Sequence, residues 1–175
     1  LNILDGFYDN TNYIRSANEI VLVEGQFDKI AMMQAGVKNV AAISGRIISD
    51  FHIDTILSIS NNVRNVLGLD NDTAGHETMM KYLKEYPSLF SRTYFYQYDC
   101  DTDTAKDPDE YIHKFGITKL LSLKKPLKYF VNVETMQISN QVIFFHDVIS
   151  KCYNIRDIIP CYYMIKEIYP DIADS

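Results

Sequence analysis

Residues 64–80 read RNVLGLDNDTAGHETMM: an apolar run, two aspartates one residue apart, and at once a helix-forming segment. An aliphatic run that halts at charge reads as a buried strand, here 65–70. Asp70 and Asp72 then stand at the strand's tip, where their mutual repulsion should cost stability. Either they shape a turn, or a cation normally sits between them.

Working outward, three further strands appear. Residues 19–25 (EIVLVEG) form an aliphatic run closed by Glu-Gly, 39–44 (NVAAIS) form another, and 92–98 (RTYFYQY) are rich in aromatic and β-branched residues. Between them lie helical segments. QFDKIAMMQAG carries Phe27, Ile30, Ala31 and Met33 as its apolar face and Gly36 as its stop. Residues 49–59 form a helix capped by Ser49, and 74–86 form the helix after the aspartates. Strand and helix alternate with short joins, which is the pattern of βαβ units. The expected fold class is α/β, a largely parallel four-stranded sheet flanked by helices.

After Gly116 the pattern changes to helices with no strands between them. Lys124 and Lys125 read there as a solvated face, and Pro160 should kink or start its helix rather than sit in its middle. The expected organisation is a link at 1–18 from a preceding region, a catalytic domain at 19–116 and an all-helical appendage at 117–175. The opening at Leu1, in mid-pattern, reads as a piece of a longer protein.

The hydrophobic content of 47% suffices for a core. No stretch approaches a membrane span, and no signal-peptide pattern opens the chain, so a cytoplasmic location is expected. Cys100, Cys152 and Cys161 form no CxxC pair and read as reduced thiols. A net charge of −6 excludes a general electrostatic footprint for nucleic acid. Contact with a polyanion would need bound cations or a basic neighbour.

Acidic residues gather at predicted strand ends: Glu24 after the first, Asp70 and Asp72 after the third, Asp107 and Asp109 in KDPDEY after the fourth. In an open parallel sheet the carboxyl ends of the strands share one edge, where ligands bind. Oxygen ligands without histidine or thiolate favour Mg²⁺ or Mn²⁺ over zinc, and such an ion suits phosphoryl-transfer chemistry. Each acid also has a plainer reading. Asp70 and Asp72 could be turn and helix N-terminal residues, and Asp107 before Pro108 could be an N-cap. DNDTAG begins like a calcium loop, but Ala74 and Lys81 stand where ligands belong. DNDTA also grazes the aspartyl-phosphatase start of the haloacid dehalogenase type, whose nucleophile ends the first strand, not the third.

On these residues the chain resembles the Toprim domain, and among Toprim proteins the bacterial DnaG-type primases, with a phage or mobile element as a candidate source. Three blocks carry the resemblance: IVLVEGQFDKIAMMQAGVKNVAAISG, NVLGLDNDTAGHETM and KDPDEYIHKFG, within roughly residues 19 to 116. It implies a magnesium-dependent nucleotidyltransferase that makes short RNA primers on single-stranded DNA. Glu24 would be the general base, with Asp70, Asp72, Asp107 and Asp109 joining it around Mg²⁺ or Mn²⁺. Gly25, Gly75, Arg46 and Lys106 would support the backbone or the nucleotide. Zinc is not expected in this stretch, because the family's zinc-binding module and basic subdomain would lie elsewhere. A replicative helicase is a candidate further partner.

Asn71 replaces the family's glycine between the aspartates, and a left-handed Asn would keep the turn. Gln26 and Arg46 also depart from the pattern. Asp99, Asp101 and Asp103 read as a solvated acidic loop. The alternatives are a Toprim nuclease and a metal-binding replication adaptor without catalysis of its own. Asp28 in the helix after Glu-Gly favours the primase.

Overall fold

The computed structural model describes residues 4–45, 47–98, 105–130, 143, 146, 149, 150 and 155–168. In chain order the elements are α1 (Phe7–Ala17), β1 (Glu19–Val23), α2 (Gln26–Gln34), β2 (Val40–Ala42), α3 (Asp50–Leu57) and β3 (Arg64–Gly68). Then come α4 (Thr73–Glu85), a 3₁₀ helix (Pro87–Arg92), β4 (Thr93–Tyr96), α5 (Pro108–Phe115), α6 (Ile117–Ser122), β5 (Lys124–Pro126) and α7 (Ile155–Ile168).

The strands form one mixed α/β sheet in the order β2-β1-β3-β4-β5. β1 lies parallel to both neighbours, with Val23 opposite Ala42 on one side and Gly68 on the other. Ile20 to Val23 and Val40 to Ala42 are almost wholly buried. Unbroken aliphatic runs are what strands covered on both faces require.

The chain divides into two compact units, Leu1–Met79 with Tyr94–Lys125, and Met80–Thr93 with Pro126–Ser175. The first has a core built on Val21, Val23, Met32, Val66, Tyr96 and Tyr111. In the second, α7 packs on the 3₁₀ helix, and the Tyr82 hydroxyl lies 3.0 Å from Thr93 Oγ1. No helix among the described residues is long and apolar enough to cross a membrane.

The sheet has five strands where the sequence suggests four. Gln97 N–H donates to Leu123 O at 3.1 Å and Leu127 N–H to Thr93 O at 3.0 Å, so residues 124–126 run antiparallel to β4. Lys124 is not simply solvated: its Nζ lies 3.1 Å from Glu19 Oε2 and sits over the Tyr94 ring. A short strand carrying lysines is a usual way to finish a sheet edge, and three residues are too few to show a period in sequence. Pro160 sits inside α7 rather than at its start. The helix forgoes one internal bond there while burying Cys161 and Met164. Most of 140–153, read as a helix, lies outside the described residues, as do Cys100 and Cys152.

Two further differences bear on the site. The stretch read as a link holds α1, which buries Phe7, Asn10 and Ile14, and Asn10 Nδ2 donates to Val40 O at 2.8 Å. In α2 the inward face is Asp28, Ala31 and Met32. Phe27 is 79% exposed, Ile30 44% and Met33 37%. An anchored carboxylate, described next, sets the helix's rotation against its apolar stripe.

Candidate functional site

Sheet order places the site. With β2 on one side of β1 and β4 beyond β3 on the other, the chain leaves the central pair in opposite directions, which makes the carboxyl ends of β1 and β3 the switch point at which open parallel sheets bind ligands. Glu24 directly follows β1 and Asp70 lies two residues past β3. They meet there: Glu24 Oε1 accepts the Asp70 backbone N–H at 3.1 Å.

Asp72 precedes α4, and its Oδ1 accepts the Gly75 N–H at 2.8 Å. Asp107 is the N-cap of α5, accepting the Glu110 N–H at 2.7 Å, with Pro108 in the first turn. Both plain readings therefore hold. Capping occupies one oxygen of each carboxylate and leaves the other free of that task. Asn71 N–H donates to Lys106 O at 2.6 Å, which ties the Asp-Asn-Asp turn to the KDPDE loop. Among the described residues other than glycine, positive φ occurs only at Asn18 and Ser44, so Asn71 is not left-handed. The turn closes through that cross-loop bond instead.

Asp28 is the residue that sequence reasoning left out of the site. Its Oδ2 accepts the Gly25 N–H at 3.2 Å and its Oδ1 the Asp109 N–H at 3.2 Å. One buried carboxylate thus clips the β1–α2 turn to the start of α5. A signal was present, since Asp28 is the third residue of a helix opened by glycine, the position from which a carboxylate reaches back to the cap. Its second bond joins positions eighty-one residues apart and has no local trace.

Two glycines make these approaches feasible. A Cβ on Gly75 would stand 2.1 Å from Asp70 O, and one on Gly25 would stand 3.1 Å from Asp28 Oδ2. Asp109 joins the cluster through its backbone, while its carboxylate pairs with exposed His113 at 3.0 Å. The backbone bond and charge of Asp109 raise the His113 pKa. Lys106 is exposed, with its N–H bonded to Glu110 Oε2 at 2.9 Å. Arg46 and the aspartates 99, 101 and 103 lie outside the described residues.

The electrostatics follow from this crowding. Burial raises the Asp70 pKa to about 7, and Glu24, Asp28, Asp107 and Asp72 add to it in that order. Burial also raises Asp28, opposed by its hydrogen bond from Asp109 and aggravated by Asp107. Among the described residues no three of these groups already converge on one point as a metal cage. Crowded carboxylate oxygens suit a hydrated Mg²⁺ or Mn²⁺, which takes few protein carboxylates and completes its shell with water and phosphate.

A family profile described as Toprim-like matches residues 21–112. The DNA primase of Staphylococcus aureus (strain COL) is 38% identical over 103 residues, which is 59% of this chain and 16% of that protein. A DNA primase domain from Pseudomonas aeruginosa superposes with a TM-score of 0.73 at 19% identity, covering 98% of this chain and 56% of that one. A DnaG primase catalytic domain bound to ssDNA superposes with a TM-score of 0.68 at 19% identity, covering 95% and 55%. The chain thus spans about a sixth of the length of the curated relative it matches.

Proposed function

The chain belongs to the Toprim-like family and shares the fold of DnaG primase catalytic domains, and on that premise we propose that it is the cation-holding catalytic domain of a DNA primase. The observation that carries this reading is the meeting of Glu24 and Asp70 across neighbouring strands, with Asp72, Asp107 and the Asp28 clip beside them. The activity is synthesis of short RNA primers on single-stranded DNA from nucleoside triphosphates, performed by the longer protein.

Asp70 and the uncapped oxygens of Asp72 and Asp107 would hold Mg²⁺ or Mn²⁺. When bound, the ion neutralises the carboxylates and polarises substrate phosphate. The chain's own residues do the rest. Glu24 Oε1 accepts from the Asp70 backbone, so the general base is held at a fixed place beside the phosphate site. The Asn71–Lys106 backbone bond keeps the two loops from drifting apart, and exposed Lys106 would meet phosphate charge from the solvent side. With a net charge of −6, the template's backbone would be met through bound cations or by basic residues outside this chain.

The test is calorimetric titration of Mn²⁺ into the chain, with and without a nucleoside triphosphate, alongside Asp70→Asn and Glu24→Gln. Saturable binding abolished by Asp70→Asn supports the reading, whereas absence of binding even with nucleotide overturns it. In the longer protein Asp70→Asn should abolish primer synthesis.

A further inference from the structure

Tyr98 follows β4 and is 8% exposed. Its ring packs against Tyr111 of α5, the helix capped by Asp107, with centroids 5.6 Å apart. Tyr111 in turn packs on Phe115 at 4.8 Å, so the phenol ends a row of three rings. The Tyr98 hydroxyl is buried and has no hydrogen-bond partner among the described residues. That is unusual for a buried tyrosine, whose O–H normally finds one. Tyr82, also buried, lies at hydrogen-bonding distance from Thr93.

The surroundings of this hydroxyl are acidic. Burial and then Asp28 hold its ionisation well above the usual tyrosine range, with Asp70 and Asp107 contributing. Carboxylates only accept, and each Asp28 oxygen has used one lone pair on a backbone N–H, leaving another. Gly68 of β3 faces the Tyr96 ring of β4, and two residues further along these neighbouring strands stand Asp70 and Tyr98, so this donor shares the sheet edge with acceptors that repel one another.

Resting on the cation-site reading above, we propose that Tyr98 is a positioning residue of the acidic site. Its hydroxyl is the donor that holds Asp28, directly or through one ordered water, where the cation-bound arrangement needs it. Asp28 passes that constraint to the Gly25 and Asp109 backbones that it clips.

The test is Mn²⁺ titration, in the presence of nucleoside triphosphate, of the unaltered chain, Tyr98→Phe, Tyr82→Phe and Asp70→Asn, with metal-free melting of each. Tyr98→Phe should bind Mn²⁺ about tenfold more weakly, the low end of what loss of an outer supporting partner costs a metal site, with no fall in its metal-free Tm. Tyr82→Phe should melt lower and bind as the unaltered chain does. Because the chain has no tryptophan, its near-ultraviolet difference spectrum on adding Mn²⁺ reports tyrosine, and Tyr98→Phe should diminish it. Unchanged affinity in Tyr98→Phe, with Asp70→Asn still failing to bind, overturns this inference and leaves the cation site standing. A metal-free Tm lowered as in Tyr82→Phe also overturns it, since the hydroxyl would then serve the free fold. Failure of the unaltered chain to bind overturns the cation site and this inference together.

Discussion

At Asp70, burial and four neighbouring carboxylates oppose the charge, so the proton is held to about pH 7. Unfolded, the same group titrates near pH ~4. Between those values the folded chain binds the extra proton. The favourable contribution is complete below the unfolded value and is lost as pH rises through the folded one. The metal-free chain should therefore lose stability from this group between about pH 4 and pH 7, and Asp70→Asn should remove that part of the slope. Thermal melts of both proteins across the range check this, and parallel slopes would refute it. Gly75→Ala should cost about 2 kcal/mol or more, since backbone must move to admit a Cβ at 2.1 Å from Asp70 O. Urea unfolding reads that loss directly. Glu24, Asp70 and Asp107 could be read from sequence because each stands where an apolar run or a proline marks an element end. Asp28 could not be placed, because half its role is a bond to the distant Asp109 backbone.

α4 and α5 begin on aspartates that cap the helix and are proposed here to hold the cation, and one pair of substitutions separates the two duties. Asp72→Asn keeps a good capping side chain and removes the charge, so stability should hold within a few tenths of a kcal/mol while Mn²⁺ binding falls. Asp72→Ala should lose binding and about 1 kcal/mol of stability as well. If Asp72→Asn bound Mn²⁺ normally in calorimetry, Asp72 would be a cap alone. The strands and helices flanking these acids were legible because their runs end in Gly, Pro or charge. What escaped was orientation and the short edge. α2 turned Asp28 inward and left Phe27 outside because two backbone donors outweigh one apolar stripe. β5 is too short to leave a pattern, and it exists through its ladder with β4.

The order β2-β1-β3-β4-β5 was not written in any segment, yet it decides which acids meet. Alternating strands and helices imply a parallel sheet without saying that the first and third strands are neighbours. The acidic balance has a consequence for the whole chain: without divalent cation it should show no saturable binding of labelled single-stranded DNA at about 0.1 M salt. Tight cation-free binding in an anisotropy titration would mean that a basic surface within this chain had been overlooked.

The bond from Asp70 to Glu24 also bears on how the chain reaches its native state. β1 and β3 pair from Glu19 opposite Arg64 to Val23 opposite Gly68, so the centre of the sheet forms only after a long loop has closed, and such pairings are slow. The same closure brings the carboxylates together at the strand tips. Repulsion therefore falls on the step that already limits the rate, and protons or divalent ions that relieve it should quicken refolding as well as stabilise its product.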